Sequence, residues 1–322
     1  MTGPVALRKL RGVTANATRH HILCLGGAVI DRKYRGRAAP QFATSNPVDA
    51  AQSFGGVARN VAETLARLGV STALATLVGE GGNGTALLDH LAALNVQVDL
   101  IGRNPHRRTA EYIAVLEPEG RLLIGLAEMA IFEDLTPGWL GKLPIEKADW
   151  VFADCNLPPE TLNTLLQRRR KGSFRLAVDA VSAPKAKRLP QDLSGIDLLF
   201  LNRDEAAAIA DQAVPVPVQA ALHIQSAGAA RVVVMLGAEG CLLADQDGCT
   251  FLPAAATTCV DVTGAGDALI GGCLWQISCG APLTEAVATG MRAAALTIAS
   301  DATVRPDMSP ALLGVGENLH AR

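Results

Sequence analysis

At 262–272 the chain reads VTGAGDALIGG: three small residues, Gly264, Ala265 and Gly266, then an acid, Asp267, then an apolar run of helical character. The first amides of a helix have no partners within it and point outward. The helix dipole adds positive potential at that end, and small side chains let an anion approach the backbone. Such a turn suits phosphate. A carboxylate in the first helical turn beside it can take a proton from an attacking hydroxyl. Donors for a migrating phosphoryl group and a base for its acceptor together describe phosphoryl transfer. The same four residues also suit a plain helix start, with Asp267 as dipole partner. No GxxxxGK[ST] pattern occurs, so any nucleotide site is built another way.

Two more constellations bear on the same chemistry. Asn202 and Glu205, in LFLNRDEAA, follow an apolar strand and open a helix, where ligands of open α/β sheets bind. An amide and a carboxylate three residues apart share a helical face and can hold a magnesium ion that keeps its waters; they also suit a capping pair. Asp31 ends the first strand region, and Gly55, Gly56 and Asn60 lie in GGVARN, where glycines permit close backbone approach. A carboxylate with an amide suits the vicinal diol of a sugar.

These residues need a scaffold, and the apolar pattern supplies one. HILCLGG, STALATLVG, ADWVFADC, RLAVDAV, DLLFLN and RVVVMLG are short apolar runs that predict buried strands. Between them lie helical patterns, including GGVARNVAETLARLGV, where Val57, Val61, Leu65 and Leu68 share a face before Gly69. Alternation of this kind predicts βαβ units and a mostly parallel sheet covered on both faces. The fold class is α/β, a three-layer α/β/α sandwich. Two segments break the rhythm. The stretch 31–56 is polar and punctuated by proline, and 108–129 alternates around a turn at 117–120 as a hairpin does. They predict a small β-lid formed by about 32–54 and 106–130, inserted in one domain over 20–322 behind a loose tail at 1–19. An open apolar sheet edge seeks a partner, which predicts a homodimer through the lid. At 284–300 a second Ala-rich helix is expected, with Thr284 as its N-cap.

Composition narrows the class further. Of 322 residues, 49% are hydrophobic and 19% charged, and the net charge is −2. That balance excludes the basic footprint of a nucleic-acid polymer binder. The seven cysteines form no CxxC pair, which argues against a zinc ribbon or thioredoxin-type site and for buried thiols in a reducing compartment. No apolar stretch of about 18 residues occurs, so no membrane span is expected. The N-terminal residues lack a signal-peptide core. A cytoplasmic protein is the expectation.

GGAVID, GGVARN, NRDE and DVTGAGD occur in the order and spacing of the ribokinase-like, or PfkB-type, carbohydrate kinases, which the chain resembles over about 20–310. The resemblance implies ATP and magnesium as partners of a small-molecule acceptor. It implies that Asp267 is the base, that 264–266 are the anion hole, and that Asp31, Gly56 and Asn60 hold sugar hydroxyls, with Asn156 as a further contact. It implies that Asn202 and Glu205 organise magnesium and phosphate and that MLGAEG, with Leu236, Gly237 and Gly240, is the ATP turn. Asp261 and Thr263 match ligands of a monovalent cation, potassium in several members. Within the family, SNPVDAAQSFGGVARNVAETLARLG, VFADCNL, VDAVSAPKAKRL and LNRDEAAAI are similar to the kinases of pseudouridine, which implies phosphorylation of a nucleoside 5′-hydroxyl. Kinases of another ribonucleoside or sugar would keep every motif except these segments, and a silent nucleoside sensor is a third reading. Three positions depart from the pattern: Met235 begins the ATP turn where Thr or Ser is usual, Gly81 in the loop GEGGNG stands where the family often has Asp, and Val29 replaces an Asn common in ribokinases.

Overall fold

The computed structural model describes residues 22–211 and 216–314. The tail expected at 1–19 lies outside the described residues. The chain begins with β1 (Ile22–Leu25), β2 (Val29–Gly36) and β3 (Val48–Gly55), followed by helix α1 (Val57–Arg67). Next come β4 (Thr72–Gly79), α2 (Gly82–Ala93), β5 (Ile101–Asn104), β6 (Glu111–Leu116) and β7 (Leu122–Glu128). The middle of the chain holds α3 (Pro137–Leu140), β8 (Trp150–Asp154), α4 (Pro159–Lys171), β9 (Arg175–Asp179) and α5 (Ala183–Ala186). Then follow β10 (Leu198–Asn202), α6 (Arg203–Ile209), α7 (Pro217–Ser226) and β11 (Val232–Met235). The last elements are β12 (Gly240–Asp245), β13 (Gly248–Pro253), α8 (Ala265–Ser278) and α9 (Leu283–Ile298).

The central sheet runs β13-β12-β11-β10-β9-β8-β1-β4-β5. Strands β11 through β5 in that order are parallel, and β12 and β13 extend the edge antiparallel. Alternate side chains of one strand enter opposite cores, as the pleat requires. In β1, Leu23 and Leu25 join α4 (Leu162, Leu165, Leu166) and α7 (Ala221, Ile224), whereas Ile22 and Cys24 join α1 (Val61, Leu65), α8 (Ile270, Leu274) and α9 (Val287, Ala293). This is the three-layer α/β/α sandwich expected from the alternating apolar runs. Continuous apolar strands such as LLFL are stable only when both faces are covered.

A second sheet, β3-β2-β6-β7, stands off one end of the first. β2 pairs antiparallel with β3 and parallel with β6, and β6 with β7 forms the expected hairpin around 117–120. The polar stretch 31–56 therefore contains two paired strands, which its alternation does not announce. One buried carboxylate fastens the root of this sheet. Asp154, at the end of β8, accepts from the backbone N–H of Gly27 and of Ala58, both at 2.9 Å on the same oxygen. Burial raises its pKa, and those donors oppose the shift.

Two expectations need correction. Thr284 is not the cap of α9: the helix begins at Leu283 with Pro282 as N-cap, because a proline with ψ 151 already sets the entry geometry and leaves Thr284 inside the first turn. The cysteines are not uniformly buried. Cys24, Cys155, Cys241 and Cys273 are, but Cys249 and Cys259 are exposed on β13 and in the loop before α8. Among the described residues no helix is long and apolar enough to cross a membrane.

Candidate active site

The predicted residues fall into three neighbouring groups at the carboxyl ends of the parallel strands. The first is the start of α8. Gly264 is its N-cap, with φ 79, and a Cβ there would overlap the Thr303 carbonyl oxygen, so only glycine fits. Ala265 and Gly266 are its first helical residues, and Asp267 lies in the first turn. Asp267 Oδ2 accepts from Asn60 Nδ2 at 2.6 Å, which joins α8 to α1. Burial raises the Asp267 pKa to about 6. The Asn60 bond and the Arg59 guanidinium pull it down, while Asp154 and Asp31 push it up. A carboxylate of that basicity is suited to proton abstraction near neutral pH.

The second group faces it from the smaller sheet. Asp31 lies on β2, and a Cβ on Gly55 would overlap its carboxylate, so the glycine is what allows the acid to lie across β3. Burial raises Asp31 to about 6, against the pull of Arg59 and Lys33. Gly56, with φ 95, caps α1 and turns the chain so that Asn60 meets Asp267. Asn60 bonds Asp267 directly, and the charge of Asp31 reaches Asp267, so β2, α1 and α8 bring the three residues together. Asn156 is placed differently. It is 4% exposed, its Oδ1 accepts from Lys185 Nζ at 2.5 Å, and its amide also stabilises the Asp154 carboxylate. Its Nδ2 lies against Gly27, whose carbonyl in turn lies against Gly56 at the start of α1.

The third group opens α6 and ends β11. Asn202 and Glu205 form a full capping box: Asn202 Oδ1 accepts from the Glu205 N–H at 2.9 Å, and the Glu205 carboxylate accepts from the Asn202 N–H at 2.8 Å and from Nδ2 at 2.7 Å. The plain capping alternative is therefore realised, with Glu205 buried. The ATP-turn residues fold tightly after β11. The Leu236 N–H donates to the Gly240 carbonyl at 2.8 Å, and Gly237 and Gly240 take φ 64 and 127. Met235 Cε lies 3.7 Å from where a Gly266 Cβ would stand, so this turn adjoins the α8 start.

Asp261 and Thr263 sit in the loop entering Gly264. Asp261 Oδ1 accepts from the Thr263 N–H at 2.8 Å and from its hydroxyl at 2.6 Å, and Oδ2 accepts from Lys33 Nζ at 2.8 Å. Partial burial opposes ionisation, but Lys33 and Thr263 outweigh it and hold the Asp261 pKa down at about 2. Lys33 belongs to β2, so the smaller sheet reaches the loop that enters α8.

Several residues here escape sequence reasoning. Asp179 closes β9, and its pKa is raised well above the usual carboxylate range by burial and then by Glu205, Asp267 and Asp154. Its Oδ1 accepts from the N–H of Val181, a β-branched residue held at φ 67, a conformation that costs about 1–3 kcal/mol. Asp154 and Asp179 each end an otherwise apolar run, VFAD and LAVD, and that acid at the carboxyl end of a parallel strand is the signal that marks them. Arg59 is visible only as a charge interrupting the buried face of α1.

The charges of Glu205, Asp267 and Asp154 all reach Asp179 at the end of β9. Acids gathered in this way at neighbouring strand ends suit a hard divalent ion. Among the described residues no three acids, histidines or cysteines converge closely enough to chelate a bare ion, and magnesium, which keeps several waters, does not require them to. The residues fit the ion.

The mostly parallel α/β/α sandwich with its small second sheet is a fold shared with solved carbohydrate kinases. Residues 19–309 match the pfkB family carbohydrate kinases, and the chain belongs to that family. It is 29% identical over 297 residues to a pseudouridine kinase of Escherichia coli (strain K12), covering 90% of this chain and 94% of that one. It is 27% identical over 300 residues to a guanosine-inosine kinase of Exiguobacterium acetylicum, covering 90% and 99%. Its fold superposes on a carbohydrate kinase from Agrobacterium tumefaciens with a TM-score of 0.81 and 32% identity, over 91% of this chain and 95% of the other. Family membership makes the protein an ATP-dependent phosphotransferase of the carbohydrate-kinase type.

Proposed function

We propose that the protein transfers the γ-phosphoryl group of ATP to the primary hydroxyl of a ribonucleoside or related sugar, and that pseudouridine is the acceptor to test first. The observation that carries the reaction is the Asn60–Asp267 pair at the start of α8, near enough to Asp31 for its charge to act on Asp267. In this reading Asp267 accepts the proton of the attacking hydroxyl, here the 5′-hydroxyl of the nucleoside. The amides of Gly264, Ala265 and Gly266 receive the migrating phosphoryl group, whose charge the helix start is oriented to stabilise. Asp31 holds ribose hydroxyls, with Gly55 and Gly56 letting the sugar approach and Asn60 beside it. Leu236, Gly237 and Gly240 shape the ATP turn. Asn202 and Glu205, with Asp179, hold hydrated magnesium, which supplies charge neutralisation for the phosphates when bound. The smaller sheet acts as a lid that excludes water from the cleft. Asp261 and Thr263 help to hold a monovalent ion. Two copies associate through the lid, where Leu122, Ile124 and Leu126 of the edge strand β7 are exposed.

The motif-bearing segments and the similarity to the pseudouridine kinase support the narrower acceptor. Similarity of nearly equal extent to the guanosine-inosine kinase supports a purine nucleoside instead. Pseudouridine has a ring N–H that uridine lacks, and a buried acceptor left without it costs about 1–3 kcal/mol. One panel decides: ADP release at fixed ATP and magnesium with pseudouridine, uridine, guanosine, inosine and ribose. A kcat/KM for pseudouridine at least about tenfold above the rest is expected, and a higher value for any other acceptor transfers the assignment to it. Asp267→Asn keeps the shape without the base, so kcat is expected to fall by about 10²–10⁴. Near-native turnover by that variant would overturn the catalytic role.

A further inference from the structure

Beneath the Asn60–Asp267 pair lies a guanidinium that no motif assigns. Arg59 is 1% exposed on α1. It donates to the Glu63 carboxylate through Nη1, and through Nη2 to the Phe54 carbonyl at 2.8 Å and to Asn60 Oδ1. Asn60 then donates through Nδ2 to Asp267 Oδ2 at 2.6 Å. The two ends of an Asn amide have nearly the same shape, so packing alone does not choose between them. A donor on one side and a carboxylate on the other leave one orientation. We infer that Arg59 is a positioning residue for phosphoryl transfer, fixing the Asn60 amide so that its N–H faces Asp267 and setting a buried positive charge between Asp267 and Asp31. The inference rests on the assignment of Asp267 as base.

The chain of contacts continues outward. The Glu63 carboxylate also accepts from Arg67, at 2.9 and 2.6 Å, and lies 3.1 Å from His90 Nε2 on α2. Arg59, Glu63, Arg67, His90, Lys33 and Asp301 line one cavity. The charges that bear on Asp267 are Arg59 from α1, Asp31 from β2, and Asp154 and Asp179 from the strand ends, and Glu63, Arg67 and His90 reach it through Arg59. Arg59 is the cation whose charge lowers both the Asp267 and the Asp31 pKa. A purely structural arginine would satisfy Glu63 and the end of β3 without affecting how Asp267 titrates.

The test reads kcat, acceptor KM and the acid limb of kcat against pH, with thermal melting to verify folding. Arg59→Lys keeps a cation but cannot make the paired bonds to Asn60 and Glu63. Its kcat is expected to fall about tenfold or more, with the acid limb moved to higher pH, and Asn60→Ala added to it should cost little beyond Asn60→Ala alone. Glu63→Gln removes the competing carboxylate while keeping Arg59, so its acid limb is expected to move the opposite way, to lower pH. Folded Arg59→Lys with native kcat and limb, or losses that simply add in the double variant, would overturn the inference. If Arg59→Lys does not fold, Glu63→Gln decides by the direction of its limb, and an unmoved limb refutes. Asp267→Asn separates the levels: if it is inactive while the limbs stay fixed, only the role of Arg59 fails, and if it turns over normally, the base assignment fails first.

Discussion

Lowering the pH from 7 to 5 should disable this kinase in a way that identifies its base. Burial places the Asp267 pKa at about 6. A group with that pKa is about nine-tenths ionised at pH 7 and about one-tenth at pH 5. A base works only when deprotonated, so kcat for the chemical step should fall over that interval, about tenfold where bound substrates leave this pKa in place, and be restored on return to pH 7. An aspartate at the ordinary value of 3.8 would lose less than about a tenth of its ionised fraction. The free enzyme carries a second acid raised to about 6, Asp31. Because kcat/KM reports the free enzyme, it should fall more steeply than kcat, by about a hundredfold if both carboxylates must be ionised. The assay is single-turnover phosphorylation at saturating ATP, magnesium and acceptor, repeated across pH with circular dichroism at each point. A rate that stays flat from pH 7 to 5 in folded protein would refute the argument that desolvation tunes Asp267.

Three further outcomes are expected. Asp31→Ala should raise the acceptor KM about tenfold or more, since bonds to a charged group contribute about 1.5–3 kcal/mol, and leave ATP affinity unchanged; an equal loss of ATP affinity would place Asp31 elsewhere. Activity should be higher in potassium than in a bulky organic cation at equal ionic strength, with kcat responding more than KM, and indifference to the cation would remove Asp261 and Thr263 from that role. Ile124→Lys puts a charge on the exposed β7 edge and should convert a dimer to a monomer in analytical ultracentrifugation; an unchanged sedimentation coefficient would move the interface off the lid.

The parallel core was legible because strands buried on both faces leave unbroken apolar runs, as in LLFL and VVVM, and because VTGAGD and NRDE announce helix starts by local chemistry. Pairing partners were not legible. β2 and β3 are polar strands whose register is set by each other, with residues such as Arg35 and Asp49 facing across the ladder, and nothing in either alone declares this. The β12–β13 hairpin was not legible for a different reason: β12 is a short buried run directly after the turn at 236–240, and its partner β13 is mostly exposed. Individual site residues could be named, but not what each one touches. Asn60 and Asp267 are 207 positions apart and Lys33 and Asp261 are 228 apart, and only the packed fold converts such separations into contacts. Arg59 shows the limit best. On a helix diagram it is a charge among Ala58, Val61 and Ala62, and its meaning comes from an acid on another helix.

The grip of Asp154 on two backbone amides has a consequence for how such an enzyme diversifies. Gly27 and Ala58 donate to the same carboxylate oxygen, so the intervening segment leaves and re-enters the core at one anchor. In construction it is a cassette. Segments whose ends lie together can be lengthened, shortened or replaced with little effect on the body that carries them. The cassette bears Asp31 and the glycines of the acceptor side, while the start of α8 lies outside it. In the proposed reading the acceptor carboxylate and the phosphoryl-binding helix thus lie on different segments of the chain, tied together through Lys33 and Asp261.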